Sequence, residues 1–325
     1  MSGAVRTSWA GQCLTYQVEG GVLDVALHRD PANEIGLDML RELERLAALI
    51  ESGAGGAHAM LLHSEVPRGF SAGADLRELY AGLQSIGKGA SGTNGASSGS
   101  RGAILGHARR LFDRPSTALR AGASTLRAAA ANGGLGDVAR TAKVWGVRSF
   151  LDRIHRVFDT LDMAPIPTIA AVHGVCFGGG LELALTCDVI VADKTARFAF
   201  PELRLGLIPG FGGIPRLERD LGNAVVRDLL LSGRSLGAQR AHEVGLCAQL
   251  VAEGHATRSA RRLAAQMGRF DPHTRTAAKR FLKPFPRERL EAEKDLFCQL
   301  LTSQVVEQAL AKFVSSTSAM PYLPG

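Results

Sequence analysis

The fold of this chain is decided by residues 173–213, HGVCFGGGLELALTCDVIVADKTARFAFPELRLGLIPGFGG. Within them an apolar run ends at the triplet Gly178–Gly180 and an amphipathic run begins, which predicts a strand, a tight turn and the start of a helix. The first turn of a helix presents free amide N–H groups and the positive end of a dipole. Glu182 falls inside the predicted helix and Glu202 follows in the same stretch, so two carboxylates can stand near those amides. This combination indicates chemistry on a carbonyl group.

The composition is that of a globular protein. The chain has 325 residues, 46% hydrophobic and 21% charged, which suffices for one large domain and a smaller subdomain and excludes disorder of the whole chain. The amino end lacks the apolar core of a signal peptide, and no segment approaches the roughly 18 consecutive apolar residues of a membrane span. We therefore expect a soluble, cytoplasmic protein with no membrane partner. The five cysteines are scattered without a Cys-x-x-Cys pair, which predicts buried thiols and neither a disulfide framework nor a zinc site.

Strand and helix patterns alternate through most of the chain, which predicts an α/β fold. The clearest elements are a hairpin over residues 14–27, a helix over 37–51 and strands over 59–63 and 168–172. From residue 255 onward all patterns are helical. We therefore predict a core over residues 1–254 and an all-α C-terminal subdomain over residues 255–325.

Residues 82–146 interrupt the predicted core. They begin with a Gly/Ser-rich run and continue rich in Ala, Arg and Gly, which is typical of a flexible linker. We predict that this insertion is partly disordered or forms short helices, around residues 104–113 and 117–131. A lid, an arm that docks a partner and a disordered insertion are all open interpretations of its role.

The insertion is strongly basic, with nine Lys and Arg residues against two Asp residues. Such clustering supplies the electrostatic part of binding to a nucleic acid or another acidic partner, which is a hypothesis of a different functional class. Only Phe112 and Trp145 could stack on bases, and this scarcity of aromatic residues disfavours nucleic acid.

A second group of small residues lies in residues 68–80, RGFSAGADLRELY. A strand is expected to end here and a helix to begin near Asp75. Small residues at such a junction let a ligand approach the backbone, but a tight turn with an aspartate helix cap explains the same pattern. The local sequence leaves both interpretations open.

Several segments, in this order along the chain, resemble the crotonase superfamily, the enoyl-CoA hydratase/isomerase family. They are NEIGLDML (33–40), FSAGADLREL (70–79), PIPTIAAVHGVCFGGGLELALTCD (165–188), FAFPELRLGLIPGFGGIPRL (198–217) and LLLSGRSLGAQRAHEVGLCAQLV (229–251). The resemblance implies a spiral of repeated strand-strand-helix units. It also implies that the C-terminal helices assemble the protein into a homotrimer or a dimer of trimers.

The resemblance also implies where a substrate would bind. Its positions place an oxyanion hole for a thioester carbonyl at the backbone amides of Ala72 and Gly179. They place the coenzyme A part of an acyl-CoA substrate along Ala72, Gly73, Ala74 and Asp75. No metal or redox cofactor is expected, since coenzyme A belongs to the substrate.

Glu182 and Glu202 match the two carboxylates with which hydratases of this family hold a water molecule. By resemblance, Glu182 orients and activates the water, and Glu202 delivers the proton to the α-carbon and removes it in the reverse reaction. The alternative is that both are surface charges, which their apolar surroundings disfavour. We therefore predict an enoyl-CoA hydratase. An isomerase, a decarboxylase or a thioester hydrolase on the same oxyanion hole are the alternatives.

Two other residues of the stretch favour structural roles. His173 stands at a strand end and is predicted to be a hydrogen-bonded structural histidine. Cys176 has no neighbouring histidine to act as the base that a thiol nucleophile needs.

Overall fold

A computed structural model describes residues 7–91 and 135–316. The predicted short helices at residues 104–113 and 117–131 lie outside the described residues. Within the described part the strands are β1 (Ser8–Ala10), β2 (Leu14–Glu19), β3 (Val22–Leu27), β4 (Ala59–Ser64), β5 (Gly69–Ser71), β6 (Thr168–Val172), β7 (Val175–Phe177), β8 (Val189–Asp193), β9 (Arg197–Ala199), β10 (Leu236–Gly237) and β11 (Gln249–Val251). The helices are α1 (Leu37–Glu51), α2 (Leu76–Ser91), α3 (Leu135–Asp162), α4 (Gly179–Ala184), α5 (Gly213–Leu221), α6 (Asn223–Ser232), α7 (Ala238–Glu243), α8 (Ala256–Met267), α9 (Pro272–Leu282), α10 (Arg287–Leu300) and α11 (Gln304–Ser315).

The strands form two sheets through a repeated unit. Successive pairs, β4 with β5, β6 with β7 and β8 with β9, each place one strand in each sheet before a helical segment follows. The larger sheet has the order β1-β2-β3-β4-β6-β8-β11 and is parallel from β3 onward, whereas the smaller has the order β10-β9-β7-β5. The strand-strand-helix repetition implied by the resemblance is confirmed.

The larger sheet is buried on both faces, as parallel sheets require. One face packs on the main hydrophobic core, to which Leu23, Val25 and Leu62 contribute. The alternate side chains, such as Leu61 and Ile169, form a second cluster with alanines of α8. This helix thus closes the face away from the main core.

Helices on both sides of the predicted insertion are longer than expected. Helix α2 continues through Gly82 to Ser91, and α3 begins at Leu135. The predicted insertion boundaries at residues 82 and 146 therefore lie inside helices. The two helices pack against each other, so tertiary contacts override the low helix propensity of the glycines.

The C-terminal segment is helical, as predicted, and consists of α8, α9, α10 and α11. Helix α10 packs against α3 and α5, and α11 packs against α2. The C-terminal helices therefore reach the same region as the flanks of the insertion. Among residues 7–91 and 135–316, no helix is both long and apolar enough to cross a bilayer.

Candidate active site

A cavity of about 370 Å³ lies between α2, α3, α4 and α10. Its walls are mainly apolar, and the acidic residues among them are Asp75, Glu78, Glu182 and Glu202. The apolar side chains that line it include Leu37, Leu79, Leu83, Val147, Phe150, Leu151, Leu205, Leu207, Phe211 and Phe297. The predicted site residues Ala72, Ala74, Asp75, Gly179, Glu182 and Glu202 line it as well. The structure thus brings together the two sequence segments that the resemblance paired.

Glu182 stands in the six-residue helix α4 and is 2% exposed. Its Oε1 accepts hydrogen bonds from the amides of Phe211 (2.7 Å) and Gly213 (2.8 Å). Burial raises the pKa of Glu182 to about 7, against the opposing effect of these amides and of Arg216. A group with this pKa carries charge in part of the molecules at neutral pH, which suits a general base.

Glu202 begins a short 3-10 turn over Glu202–Leu205, after Pro201. Its Oε1 lies against Gly178, where a side chain would collide with it. Its Oε2 is buried and has no hydrogen-bond partner among the described residues. Burial and the neighbouring Glu182 raise the pKa of Glu202 well above its ordinary value. Glu202 is therefore protonated where Glu182 is charged, because two adjacent carboxyl groups do not ionise together.

The structure corrects the predicted oxyanion donor at Ala72. The Ala72 amide donates to the carbonyl oxygen of Ala32 at 2.8 Å within the fold, so it is not free for a substrate. The amide of Ala74 has no acceptor in the described part of the chain. A methyl group placed on Gly179 would come 3.3 Å from the Ala74 nitrogen. The free amide that faces Gly179 is therefore that of Ala74.

Glycine is required where these two segments meet. Gly73 has a φ of +97°, and a Cβ on it would lie 2.7 Å from the Phe177 carbonyl oxygen and 3.0 Å from the Gly179 nitrogen. Gly179 is the first residue of α4, whose first amides lack intrahelical acceptors. Since α4 has only six residues, its dipole is small, and the individual N–H groups matter more than the sequence suggested.

Three residues that the sequence reasoning missed hold the loop of residues 210–214. Glu293, on α10, accepts from the amides of Gly212 (2.7 Å) and Ile214 (2.9 Å). Arg216 is fully buried and donates to the carbonyls at 211 and 212. His155 Nε2 bonds the Gly210 carbonyl at 2.8 Å, and burial lowers the pKa of His155 to about 3.

Glu293 and Arg216 could have been suspected from the pattern. Glu293 lies on the same helix face as the buried residues Leu290 and Phe297. Arg216 adjoins the buried Leu217 in α5 and bonds Asp162, also buried, at 3.0 Å. A charge on an apolar stripe signals a buried polar partner, although it does not identify that partner.

The remaining candidates behave as structural residues. His173 Nε2 bonds the Val66 carbonyl at 3.0 Å, which confirms its structural assignment. All five cysteines are buried and unpaired, and burial raises the pKa of Cys176 well above its ordinary value. Asp75 accepts from Arg29 (2.7 Å) and from the Glu78 amide, so it caps α2. In the described residues, no group of three or more His, Cys, Asp and Glu side chains is arranged to hold a metal ion.

Comparison with known proteins gives both a family and a fold. The model of the enoyl-CoA hydratase/isomerase family matches residues 141–319, more than half of the 325 residues. The chain is 38% identical to 2,3-dehydroadipyl-CoA hydratase of Escherichia coli over 152 residues, covering 46% of this chain and 60% of that protein. It is 40% identical to the mitochondrial methylglutaconyl-CoA hydratase of Rattus norvegicus over 123 residues, covering 38% and 39%. The aligned part thus spans at most about three fifths of these relatives.

Solved structures share the fold at lower identity. A putative enoyl-CoA hydratase from Streptomyces avermitilis superimposes with a TM-score of 0.70 at 19% identity, covering 95% of this chain and 93% of that one. An enoyl-CoA hydratase from Bacillus halodurans gives a TM-score of 0.67 at 18% identity, covering 92% and 99%. With its family match and its two-sheet spiral in agreement, this chain belongs to the enoyl-CoA hydratase/isomerase family of the crotonase superfamily.

Proposed function

We propose that this protein is a 2,3-enoyl-CoA hydratase that adds water across the double bond of an acyl-CoA thioester. The observation that carries the proposal is that Glu182 and Glu202 are neighbours in the lining of a mainly apolar cavity. One carboxyl is held by two amides, and the other has a buried oxygen with no partner among the described residues. Hydration needs one group to accept a proton from water and another to deliver a proton to carbon. The names of the hydratase relatives support the same reaction.

We also propose where each part of such a substrate binds. We place the thioester oxygen at the amides of Ala74 and Gly179, and the coenzyme A part along Ala72–Asp75. The acyl chain then extends along the apolar wall that α2 and α3 provide. Two preorganised N–H donors stabilise negative charge on the thioester oxygen, and losing one such donor costs about 10²- to 10³-fold in rate.

The reaction begins with water attack on the β-carbon. Charged Glu182 takes a proton from the water while the oxygen of the water forms the new bond to the β-carbon. The electron pair of the double bond moves toward the thioester, which becomes an enolate. Its oxygen accepts hydrogen bonds from the two free amides, so the charge develops where donors already point.

Protonation of the α-carbon completes the addition. Neutral Glu202 donates its proton to the enolate, giving the 3-hydroxyacyl-CoA and leaving a charge on Glu202. The proton gained by Glu182 and the charge on Glu202 are then exchanged through water, which restores the starting pair. The reverse reaction uses Glu202 as the base at the α-carbon.

The proposal is tested with purified protein and a panel of 2-enoyl-CoA esters. Hydration removes the absorbance of the conjugated thioester, so the rate is read directly. We expect Glu182→Gln and Glu202→Gln each to lower kcat by about 10²- to 10⁴-fold, the usual contribution of a general acid or base. Wild-type rates in both variants would overturn the assignment.

Double-bond isomerisation is the second candidate, because it needs a single proton-shuttling group and Glu202 could supply it. On 3-enoyl-CoA esters, an isomerase would keep turnover in Glu182→Gln and lose it in Glu202→Gln. A hydratase would lose activity on 2-enoyl esters in both. The same two variants therefore separate the two reactions.

We further propose that the protein self-associates, as a homotrimer or a dimer of trimers, through its C-terminal helices. Helix α9 has no buried residue within the chain, and Phe281 and Leu282 on it are 86% and 77% exposed. Apolar side chains exposed together are typical of an interface. Sedimentation equilibrium checks the assembly, and a monomer at micromolar concentration would contradict it.

A further inference from the structure

Two buried carboxylates hold four consecutive amides, in the loop that leads into α5 and in the first turn of that helix. Along residues 211–214 the amides donate alternately to the two groups. The first and third donate to Glu182 at 2.7 and 2.8 Å, and the second and fourth donate to Glu293 at 2.7 and 2.9 Å. The loop therefore cannot move relative to one carboxylate without moving relative to the other.

The other side of this loop is fixed as well. Buried Arg216 donates to the carbonyls of residues 211 and 212 at 3.0 and 3.2 Å, and it is paired with Asp159 and Asp162. Glu293 is 5% exposed. Burial and the neighbouring Glu182 raise the pKa of Glu293 well above its ordinary value, whereas the two amides that it accepts from and Arg216 favour its charged form. Its helix α10 is tied to α3 by the Lys294–Asp152 ion pair at 2.8 Å. Glu293 thus connects a C-terminal helix, through backbone amides, to the carboxylate at the cavity.

We propose that Glu293 is a positioning residue for hydration, which fixes the direction in which Glu182 presents its carboxylate to water. Glu293 is not one of the residues that line the cavity in the described part of the chain, so it acts through the loop. The inference rests on the proposed hydratase function. It adds to that function a residue of the C-terminal helical segment, which is remote in sequence from Glu182 and Glu202.

The two carboxylates accept their amides differently, so a substitution at Glu293 can test its role without altering the bonds to Glu182. Glu182 receives both amides on Oε1, whereas Glu293 uses Oε1 for one amide and Oε2 for the other. A glutamine at 293 has a single acceptor oxygen, and its NH₂ group would face a second donor. Glu293→Gln therefore releases one amide of the loop without changing side-chain size.

The experiment compares two reactions of the same protein. Hydration of crotonyl-CoA needs water positioned by Glu182. Exchange of the α-protons of butyryl-CoA in D₂O needs Glu202 and the two amides but no water addition. For Glu293→Gln we expect kcat for hydration to fall about 10²-fold, as for a misplaced catalytic group. We expect KM and the exchange rate to stay within about threefold of wild type.

Glu291→Gln is the matched control, because Glu291 lies on the same helix with its side chain 55% exposed and bonds only Arg148 and Lys294 among the described residues. It should leave both reactions unchanged. Glu293→Asp keeps both acceptor oxygens on a shorter side chain and should restore part of kcat. If Glu293→Gln does not fold, Glu293→Asp carries the same comparison, with hydration reduced and exchange kept.

Wild-type hydration in the folded Glu293→Gln variant would overturn the inference. An equal loss of hydration and exchange would also overturn it, since this indicates general disruption of the site. Absence of hydration in the wild-type protein is a different result, because it contradicts the proposed function itself.

Discussion

The Ala72 amide donates to the Ala32 carbonyl oxygen at 2.8 Å, whereas the Ala74 amide, two residues later, faces Gly179. The backbone amides of two alanines in one short motif therefore have different roles. The first amide holds the motif against the preceding loop, and the second remains available to a ligand. This division moves the proposed oxyanion donor from Ala72 to Ala74 and makes the two positions a natural pair for comparison.

Replacing single amides by esters tests the division. An ester at position 74 removes the N–H that faces Gly179, and we expect kcat to fall about 10²- to 10³-fold with folding unchanged. An ester at position 72 removes the donor to Ala32, and we expect a loss of about 0.5–1.5 kcal/mol in the free energy of unfolding with kcat nearly unchanged. Kinetics and urea unfolding measure the two effects. The assignment fails if the ester at 72 is the one that abolishes turnover.

The pH dependence of kcat/KM follows from the two carboxyl groups. The active form has Glu182 charged and Glu202 protonated. Burial raises the pKa of Glu182 to about 7, and burial together with Glu182 raises that of Glu202 well above its ordinary value. We expect kcat/KM to rise as the pH passes through about 7 and to fall again at higher pH, as Glu202 loses its proton. The apparent pKa values belong to the coupled buried carboxyl groups, which include Glu293, because burial and Glu182 also raise the pKa of Glu293 well above its ordinary value.

A stopped-flow series of hydration rates at constant ionic strength gives this profile. A rate that is constant between about pH 5 and pH 9 would contradict the proposed protonation states.

The strand and helix assignments were accessible to sequence reasoning because their periodicities are strong. Helix α1 has its predicted bounds, and β2 and β3 form the predicted hairpin within residues 14–27. Glu182 and Glu202 could be found because each lies next to a glycine or proline signal. The lengths of α2 and α3 could not be predicted, because residues 82–146 have the composition of a linker. Only the folded chain packs Leu79 and Leu83 of α2 into one core with Val147 and Leu151 of α3.

Contacts made by the backbone left little trace in the sequence. Which amide of the Ala72–Ala74 motif is free depends on the Ala32 carbonyl, and small side chains carry no sign of it. Glu293 lies 81 residues from the Gly212 amide that it holds. Its partner is a backbone N–H, which every residue other than proline provides. Side-chain patterns therefore predict the two candidate catalytic glutamates, whereas the backbone hydrogen bonds that support them are visible only in the folded structure.

Glu182→Gln is expected to separate stability from activity. Both amide donors reach Oε1 of Glu182, so the glutamine oxygen can keep both hydrogen bonds. The raised pKa of Glu182, about 7 against an ordinary 4.5, means that the folded state holds a proton that the unfolded chain releases in this range. Stability contributed by this group therefore falls as the pH rises from 4.5 to 7.

Glu182→Gln has no titrating group at this position, so its stability does not fall in this way between pH 4.5 and pH 7. We expect it to match wild type in unfolding free energy below about pH 4.5 and to exceed it by on the order of 1–3 kcal/mol at pH 8. Urea unfolding at both pH values measures the difference. For Glu291→Gln, the difference in unfolding free energy from wild type should not change between the two pH values. A variant less stable than wild type at pH 8 would indicate that the two amide bonds need the charged oxygen.

Gly82 is expected to set how long an acyl chain the cavity accepts. It lies on α2 among the cavity-lining residues, and a Cβ placed on it would meet no atom of residues 7–91 and 135–316 within 4 Å. Among the described residues a larger side chain at this position therefore has room, and we expect it to narrow the cavity. Replacing a helical glycine also tends to favour the helix by up to about 1 kcal/mol, so the fold should tolerate the change.

For Gly82→Leu we expect kcat/KM on 12-carbon enoyl-CoA to fall at least about 10-fold, because each methylene excluded from an apolar pocket is worth roughly 10-fold or more. The value for crotonyl-CoA should stay within about twofold of wild type, and Gly82→Ala should lie between the two on the long substrate. Gly237→Leu, at another open glycine outside the cavity lining, controls for surface effects. Equal losses on short and long substrates would show that residue 82 supports the helix and does not limit the acyl chain.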